Sequence, residues 1–114
     1  MQLPNAQSAF IDLDKLRNYS LNSEHHRGKH KARLFASMLG LTCDDAEELQ
    51  YLLAEAAQNY DAVPTENDQY GQRYCIDFAV TRLGQTATIR STWIVRISET
   101  FPRLTSCYII KTKP

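Results

Sequence analysis

The sequence predicts an α+β fold in which about three N-terminal helices pack on a three- to four-stranded antiparallel β-meander. Apolar residues recur at helical spacing in the first half of the chain, and they alternate with polar residues, at strand spacing, in the second half. A length of 114 residues and an apolar content of 43% fit one globular domain over residues 1–114. We expect its helical part over residues 1–62 and its sheet part over residues 69–112.

The expected helices have recognisable start and stop signals. Asp12 is a candidate N-cap for a short helix over residues 13–20. The second helix is expected over residues 29–39, with Gly40 as its C-terminal stop. The sequence TCDD at residues 42–45 has the form of a capping box and opens a third helix. The apolar face of this third helix consists of Ala46, Leu49, Leu52, Leu53 and Ala56.

The expected strands follow a connector rich in turn-forming residues at 63–68. Alternation predicts strands over residues 74–81, 86–97 and 104–110, with a tight turn at residues 83–85. A fourth, short strand is expected at residues 8–11 or 69–72. The residues that share one face of the middle strand are Ala87, Ile89, Ser91, Trp93, Val95 and Ile97. On the last strand, parity places Thr105 with Cys107 and Ile109, opposite Tyr108.

The net charge is zero, but it is unevenly distributed along the chain. Residues 1–40 carry a net charge of +3, residues 41–72 carry −8, and residues 73–114 carry +5. Two interpretations stay open. The two basic ends form one surface that meets phosphates, or the acidic residues of the middle segment simply solvate an exposed helix face.

Several protein classes are excluded by composition and segment length. No apolar run exceeds four residues, so a membrane span is not expected. The first ten residues lack a basic stretch followed by an apolar one, which argues against a secretory signal. The chain has three cysteines, Cys43, Cys75 and Cys107, without a CxxC pair. An odd count without a leader predicts reduced thiols and a cytoplasmic protein.

The densest cluster of chemically active residues is HHRGKHKAR at residues 25–33. Its imidazoles and cations are suited to binding phosphate and moving protons near neutral pH. The alternative is a solvated, basic helix start. Lys31 lies in line with the apolar stripe of Phe35 and Met38, where an ammonium group needs a partner or must extend to the surface.

A second group lies on the middle strand, where Arg90, Thr92 and Arg96 share one face. Two arginines that flank a threonine can hold a phosphate, since guanidinium groups pair with its oxygens bidentately. The alternative to a phosphate site is that these residues simply lie on the solvent-exposed face of a sheet whose other face is buried. The histidines lack the spacing of a structural zinc site, and no dinucleotide, Walker or nucleophile-elbow motif occurs, so no metal and no cofactor are predicted.

Segments spread over nearly the whole chain carry a family resemblance. They are LPNA at residues 3–6, IDLDKL at 11–16, HRGKHKARLF at 26–35, YGQRY at 70–74, WIVR at 93–96 and PRLTSCY at 102–108. In these segments the chain resembles an uncharacterised bacterial family of short proteins that is common in cyanobacteria. The resemblance implies no established activity.

A looser resemblance concerns the fold. Helices with His and Lys, followed by a sheet with Arg, Thr and Tyr, are similar to the superfamily of metal-independent ribonucleases that includes barnase, EndoU, the tRNA-cutting colicins and the RelE toxins. Many of its members are toxin domains of conflict systems. The resemblance implies RNA as the substrate and a neutralising protein, encoded by a neighbouring gene, as the partner.

The first function hypothesis is therefore a cytoplasmic ribonuclease toxin of a toxin–antitoxin pair, which cleaves RNA by attack of the ribose 2′-hydroxyl on the adjacent phosphorus. His30, or alternatively His26, acts as acid or base; Lys31, Arg90 and Arg96 stabilise the phosphate, and Thr92 donates a hydrogen bond to it. Further RNA contacts are expected from Lys29, Arg33, Arg103 and Thr105.

Two alternatives stay open. One is a non-catalytic binding module of the antitoxin or immunity type, or an adaptor, that uses the acidic middle helix; zero net charge fits it better than a strong RNA binder. The other is an enzyme of another class with one of the three cysteines as nucleophile. A homodimer is also open, and no membrane partner is expected.

Overall fold

The computed structural model describes residues 1–110, and its α+β architecture of three helices followed by a four-stranded antiparallel sheet confirms the predicted fold class. Helix α1 consists of Leu13–Lys15 and continues as a π-helical turn, Leu16–Ser20. Helices α2 and α3 are Lys29–Leu39 and Ala46–Asn59. The strands are β1 Val63–Asp68, β2 Gly71–Arg82, β3 Gln85–Arg96 and β4 Pro102–Ile110, which pair in chain order.

The helix boundaries arise from local hydrogen bonds that the sequence predicts. The Asp12 carboxylate accepts hydrogen bonds from the backbone N–H groups of Asp14 and Lys15, at 3.0 and 3.3 Å, and so caps α1. Gly40 ends α2 with a left-handed φ of 66°, as expected of a glycine stop. None of the helices in residues 1–110 has the length and apolar character that crossing a bilayer requires.

The first strand lies where the sequence predicts a connector. Residues 63–68 form β1, so the sheet begins at Val63 and not at residue 69, and the prediction of a turn-rich connector was wrong. Five of its six residues are exposed, so an alternation of apolar and polar residues is not required in this edge strand. Its pairing with β2 is also irregular, because the register shifts after Pro64.

The two proposed sites of the fourth strand were also wrong. Within residues 8–11 only Phe10 makes a β-bridge, to Arg103, and residues 71–72 belong to β2. The predicted sheet residues 111 and 112 lie outside the described part of the chain.

The hairpin between β2 and β3 confirms the predicted tight turn. Arg82 pairs with Gln85, which leaves Leu83 and Gly84 as a two-residue loop. Both loop residues have a positive φ, 51° and 78°, as in the type I′ turns that match the twist of a hairpin.

The helices cover one face of the sheet and leave the other face open. The covered face contributes Tyr74, Ile76, Phe78 and Val80 from β2, and Ala87, Ile89, Ser91 and Trp93 from β3. These residues share one core with the apolar faces of the helices, among them Leu16, Phe35, Leu39, Leu49 and Leu53. Burial of this area is the main source of stability.

The predicted apolar face of β3 does not extend to its end. Ile97 lies in the turn beyond the strand and is 74% exposed, so its expected place with Trp93 was wrong. Ile94, on the opposite face, is only 5% exposed. Its cross-strand neighbours are Arg73 and Arg103, and the aliphatic stems of arginines can cover an apolar neighbour in this position.

We expect Ser91→Ala to lower the free energy of unfolding by about 1–3 kcal/mol, because it leaves a buried donor without a partner. Ser91 is fully buried; its hydroxyl donates to the carbonyl of Ile76 and accepts from the indole N–H of Trp93, both at 2.9 Å. Urea denaturation measures the change. The control is Ser98→Ala in an exposed turn, which we expect to stay within about 0.5 kcal/mol. Equal destabilisation by the two substitutions would contradict this role for Ser91.

Candidate functional site

The three histidines of the basic cluster occupy different environments. The Nδ1 atom of His25 accepts hydrogen bonds from the backbone N–H groups of Arg27 and Gly28, both at 3.1 Å, and its ring packs edge-on against Tyr19. His25 therefore shapes the turn that precedes α2. His26 and His30 are exposed, and their side chains make no hydrogen bond or ion pair with the described residues.

The cations of the cluster are not neutralised by carboxylates. Arg27, Lys29, Lys31 and Arg33 form no ion pair with a described acidic residue. The ammonium of Lys31 lies 4.7 Å from the centre of the Tyr108 ring on β4. This cation–π contact is the partner that a lysine on the apolar stripe of a helix requires.

On the open sheet face, Arg90 is held by a carboxylate. Its Nε and Nη2 atoms donate to the two carboxylate oxygens of Asp77, both at 2.8 Å. These hydrogen bonds lower the pKa of Asp77 and raise that of Arg90. The sequence predicts that the Arg90 guanidinium binds a phosphate, but its Nε–H and Nη2–H groups already donate to Asp77.

Arg96 and Arg103 share a second carboxylate. Arg103 donates to both oxygens of Glu99, at 2.8 and 2.7 Å, and Arg96 lies 3.9 Å from the same group. These hydrogen bonds from Arg103 lower the pKa of Glu99. The Arg103 guanidinium also lies 5.0 Å from the rings of Phe10 and Phe101, which fixes its position.

The remaining sheet arginines follow the same pattern. Arg73 donates to Asp68 at 3.0 Å on the open face. Arg82, on the helix side, donates to both carboxylate oxygens of Glu48, at 2.7 and 3.0 Å. Every arginine of the sheet therefore faces a carboxylate.

A bulge in β4 changes the orientation of Thr105. Thr92 pairs with Ser106 while Trp93 pairs with Leu104, so Thr105 is an extra residue in the ladder. The hydroxyls of Thr92 and Thr105 lie 2.6 Å apart on the open face. The prediction that Thr105 shares a face with Cys107 was therefore wrong, because the bulge interrupts the alternation.

The structure thus brings together only part of the predicted site. Arg90, Thr92, Arg96, Arg103 and Thr105 share the open sheet face. The other predicted residues lie on α2 or on the loop before it; they are His26, Lys29, His30, Lys31 and Arg33. The two groups meet at Tyr108, whose ring contacts Lys31 and whose cross-strand neighbour is Arg90.

Two of the three cysteines are poor nucleophiles. Burial raises the pKa of the Cys107 thiol to about 11, and burial followed by the charge of Asp77 raises that of Cys75. Both side chains are thus thiols and not reactive thiolates near neutral pH. Within residues 1–110 no group of three His, Cys, Asp or Glu side chains is arranged to hold a metal ion.

Sequence reasoning identified the acidic middle segment but missed an aromatic residue on it. Tyr51 is 64% exposed on α3, with Glu47 one helical turn before it and Glu55 one turn after it. Hollows of about 480 and 270 Å³ lie on its two sides. The signal in the sequence is a large aromatic at a polar position of the helical pattern, between two acids.

The chain resembles known proteins in family and in fold. A family model described as a domain of unknown function, DUF6883, matches residues 2–111. No curated protein matches the chain in sequence. A solved structure, the contact-dependent growth inhibition toxin–immunity protein complex from Klebsiella pneumoniae 342, contains a chain with the same fold. The TM-score is 0.68 at 16% identity, over 94% of this chain and 97% of that chain.

We expect Asp77→Asn to lower the free energy of unfolding at neutral pH by less than about 1 kcal/mol, because the pair with Arg90 is partly exposed. Since the pKa of Asp77 is lowered in the folded state, the pair stabilises the fold above the ordinary pKa of 3.8 and less so as the pH falls. The difference between variant and parent therefore shrinks in acid. Urea denaturation over a pH series measures it, with Glu66→Gln as the exposed control. A difference that persists in strong acid would contradict this origin.

We expect an alkylating reagent near neutral pH to modify Cys43 rapidly and to spare Cys107 until the protein unfolds, because Cys43 is exposed and Cys107 is buried with a raised pKa. Mass spectrometry of the digested protein measures each site separately. Cys43→Ser serves as the control that removes the rapid fraction. Equal rates at Cys43 and Cys107 in the folded protein would contradict the burial of Cys107.

Proposed function

The chain belongs to the DUF6883 family, a domain of unknown function, and we propose that it is an immunity-type protein that binds and neutralises a toxin in the bacterial cytoplasm. The observation that carries this proposal is that the arginines on the open sheet face are paired with carboxylates. Arg73, Arg90 and Arg103 form close ion pairs with carboxylates, and Arg96 faces Glu99. A site that cleaves RNA needs cations that face the phosphoryl oxygens, so this sheet is better suited to a structural platform than to catalysis.

The surface of α3 supports binding to a protein. It presents Glu47, Tyr51 and Glu55 on one exposed face. Tyrosine is enriched at the centres of protein interfaces, and fixed negative charge accelerates encounter with a basic partner. A chain with the same fold occurs in a toxin–immunity protein complex, which supports a role in a toxin system.

A second candidate is the ribonuclease toxin, which cleaves RNA by attack of the ribose 2′-hydroxyl. The cations of α2 favour it, since Lys29, Lys31 and Arg33 have no described carboxylate partner and lie next to the exposed His26 and His30. In this function a base takes the proton of the 2′-hydroxyl as its oxygen bonds to phosphorus, and an acid protonates the 5′-oxygen as its bond to phosphorus breaks. His30, or alternatively His26, is the acid or the base, and Lys31 stabilises the phosphoryl oxygens. Contributions from Arg90 and Arg96 require both to turn away from their carboxylates when RNA binds, which costs part of the binding energy.

Growth of bacteria separates the two functions. We expect induction of the parent protein or of His30→Ala to leave growth normal. We also expect the parent to restore growth when the toxin encoded beside its gene is co-expressed, because the toxin is then bound. Growth curves after induction measure both effects.

Two results would overturn the immunity function. One is failure of the parent to relieve arrest by the neighbouring toxin. The other is growth arrest by the parent alone that His30→Ala abolishes, together with cleaved RNA in the arrested cells; this result would establish the ribonuclease instead.

A further inference from the structure

The outer face of α3 carries an exposed aromatic side chain between two apolar hollows. We define the Tyr51 surface as Glu47, Tyr51 and Glu55 together with the hollows on either side of the Tyr51 ring. The two carboxylates lie eight residues apart on the helix, which places them about 12 Å apart along its axis. Tyr51 itself is 64% exposed, so its ring contributes contact area that this chain does not use.

The first hollow, of about 480 Å³, is formed between α3 and the N-terminal segment. Its walls include Tyr51 and Phe10, and the small side chains of Ala9 and Ala54 leave space between them. The side-chain amide of Gln50 donates to the Ile11 carbonyl at 2.9 Å and ties the segment to the helix. The hollow is thus formed before any partner arrives, which lowers the entropic cost of binding.

The N-terminal wall is also fixed to the sheet. The backbone N–H of Phe10 donates to the Pro102 carbonyl at 2.9 Å, and the N–H of Leu104 donates to the Phe10 carbonyl at 3.0 Å. Phe10 is nevertheless 46% exposed. A rigid backbone with an exposed aromatic ring is typical of an interface anchor.

The second hollow, of about 270 Å³, lies between α3 and β2. Tyr51 and Tyr60 contribute aromatic rings to it, and the ring of Tyr60 packs against that of Phe78, with centroids 5.8 Å apart. The side chains of Leu52 and Val80 add apolar surface. An apolar side chain fits this hollow better than a charged one.

The charged groups that line these two hollows are Glu47 and Glu55, and no cation lines either of them among the described residues. The hollows of the open sheet face differ, because arginines line them together with polar groups. Glu47 lies 3.7 Å from Arg17, but the Glu47 side chain is 79% exposed and that of Arg17 is 40% exposed, so a partner cation can compete for this carboxylate. The Tyr51 surface is therefore complementary to a group that is both basic and apolar.

We propose that the Tyr51 surface is where the toxin binds, and that its occupant is a toxin segment with an apolar side chain between two Lys or Arg residues. The apolar side chain enters a hollow and contacts the Tyr51 ring, and the two cations meet Glu47 and Glu55. The inference rests on the proposed immunity function. It goes beyond that function by assigning the surface and the chemistry of the segment that this surface recognises.

Affinity for the purified toxin encoded beside the gene tests the role of Tyr51, by calorimetric titration of the full chain and its variants. We expect Tyr51→Ala to weaken binding at least about 30-fold, as for the central aromatic residue of an interface. The matched control is Tyr70→Ala. Tyr70 is 61% exposed but lines a hollow of the open sheet face, so we expect a change below about threefold. Tyr51→Phe retains the ring and should also stay within about threefold.

The double substitution Glu47→Gln and Glu55→Gln tests the charge of the occupant. We expect the association rate to fall about fivefold or more at low salt and to match that of the parent at high salt, because screening removes the attraction. Glu66→Gln, on the exposed edge strand β1, is the control and should leave the rate unchanged. Stopped-flow fluorescence of a label on the toxin measures the rates.

The outcomes separate this inference from the proposed function. If the parent binds the toxin and Tyr51→Ala binds equally well while still folded by circular dichroism, the Tyr51 surface is not the docking site, and the immunity function stands. A rate that does not change in the double glutamine variant overturns the basic character of the occupant. If the parent neither binds nor neutralises the toxin, the immunity function fails, and this inference fails with it.

Discussion

The antiparallel register of β2 and β3 is the constraint on which the rest of the structure depends. The two-residue turn at Leu83 and Gly84 sets it, and twelve consecutive pairs then run from Arg82 with Gln85 to Gly71 with Arg96. Because side chains alternate between faces, this register puts Trp93 into the core and Arg90 opposite Asp77 on the open face. A slip of one residue would exchange the two faces and expose the core.

The same register separates the charges of the molecule. Sheet arginines meet carboxylates on neighbouring strands, on the adjoining turn or on α3, so the open face is close to neutral. The cations of α2 and the carboxylates Glu47 and Glu55 of α3 remain on separate helices. Zero net charge thus conceals one basic and one acidic helical surface on a neutral sheet. Long-range attraction to a charged partner depends on this local distribution and not on the total.

Much of the fold follows from local sequence patterns, and the exceptions have physical reasons. The caps at Asp12 and Gly40 and the alternation of β2 are local, so they predict the helices and the central strands. Strand β1 is an edge whose pairing comes from β2, so its own residues carry no apolar alternation. The bulge at Thr105 adds one residue to the ladder, which a pattern of alternation cannot show.

Part of the candidate site is also predictable from the sequence. Counting back along both strands from the hairpin turn pairs Asp77 with Arg90. Exposure of Tyr51 follows from the helical pattern, but the hollows beside it depend on distant segments.

The bridge between Phe10 and β4 has a consequence for protein synthesis. Residues near the start of the chain form one wall of the hollow beside Tyr51, and they are held there by the backbone of Pro102 and Leu104. A nascent chain on the ribosome presents α3 and Tyr51 long before these later residues emerge from the exit tunnel. The backbone bridge that fixes this wall to the sheet therefore forms only after β4 has been synthesised, whereas the hydrogen bond from Gln50 to the Ile11 carbonyl needs only the first half of the chain.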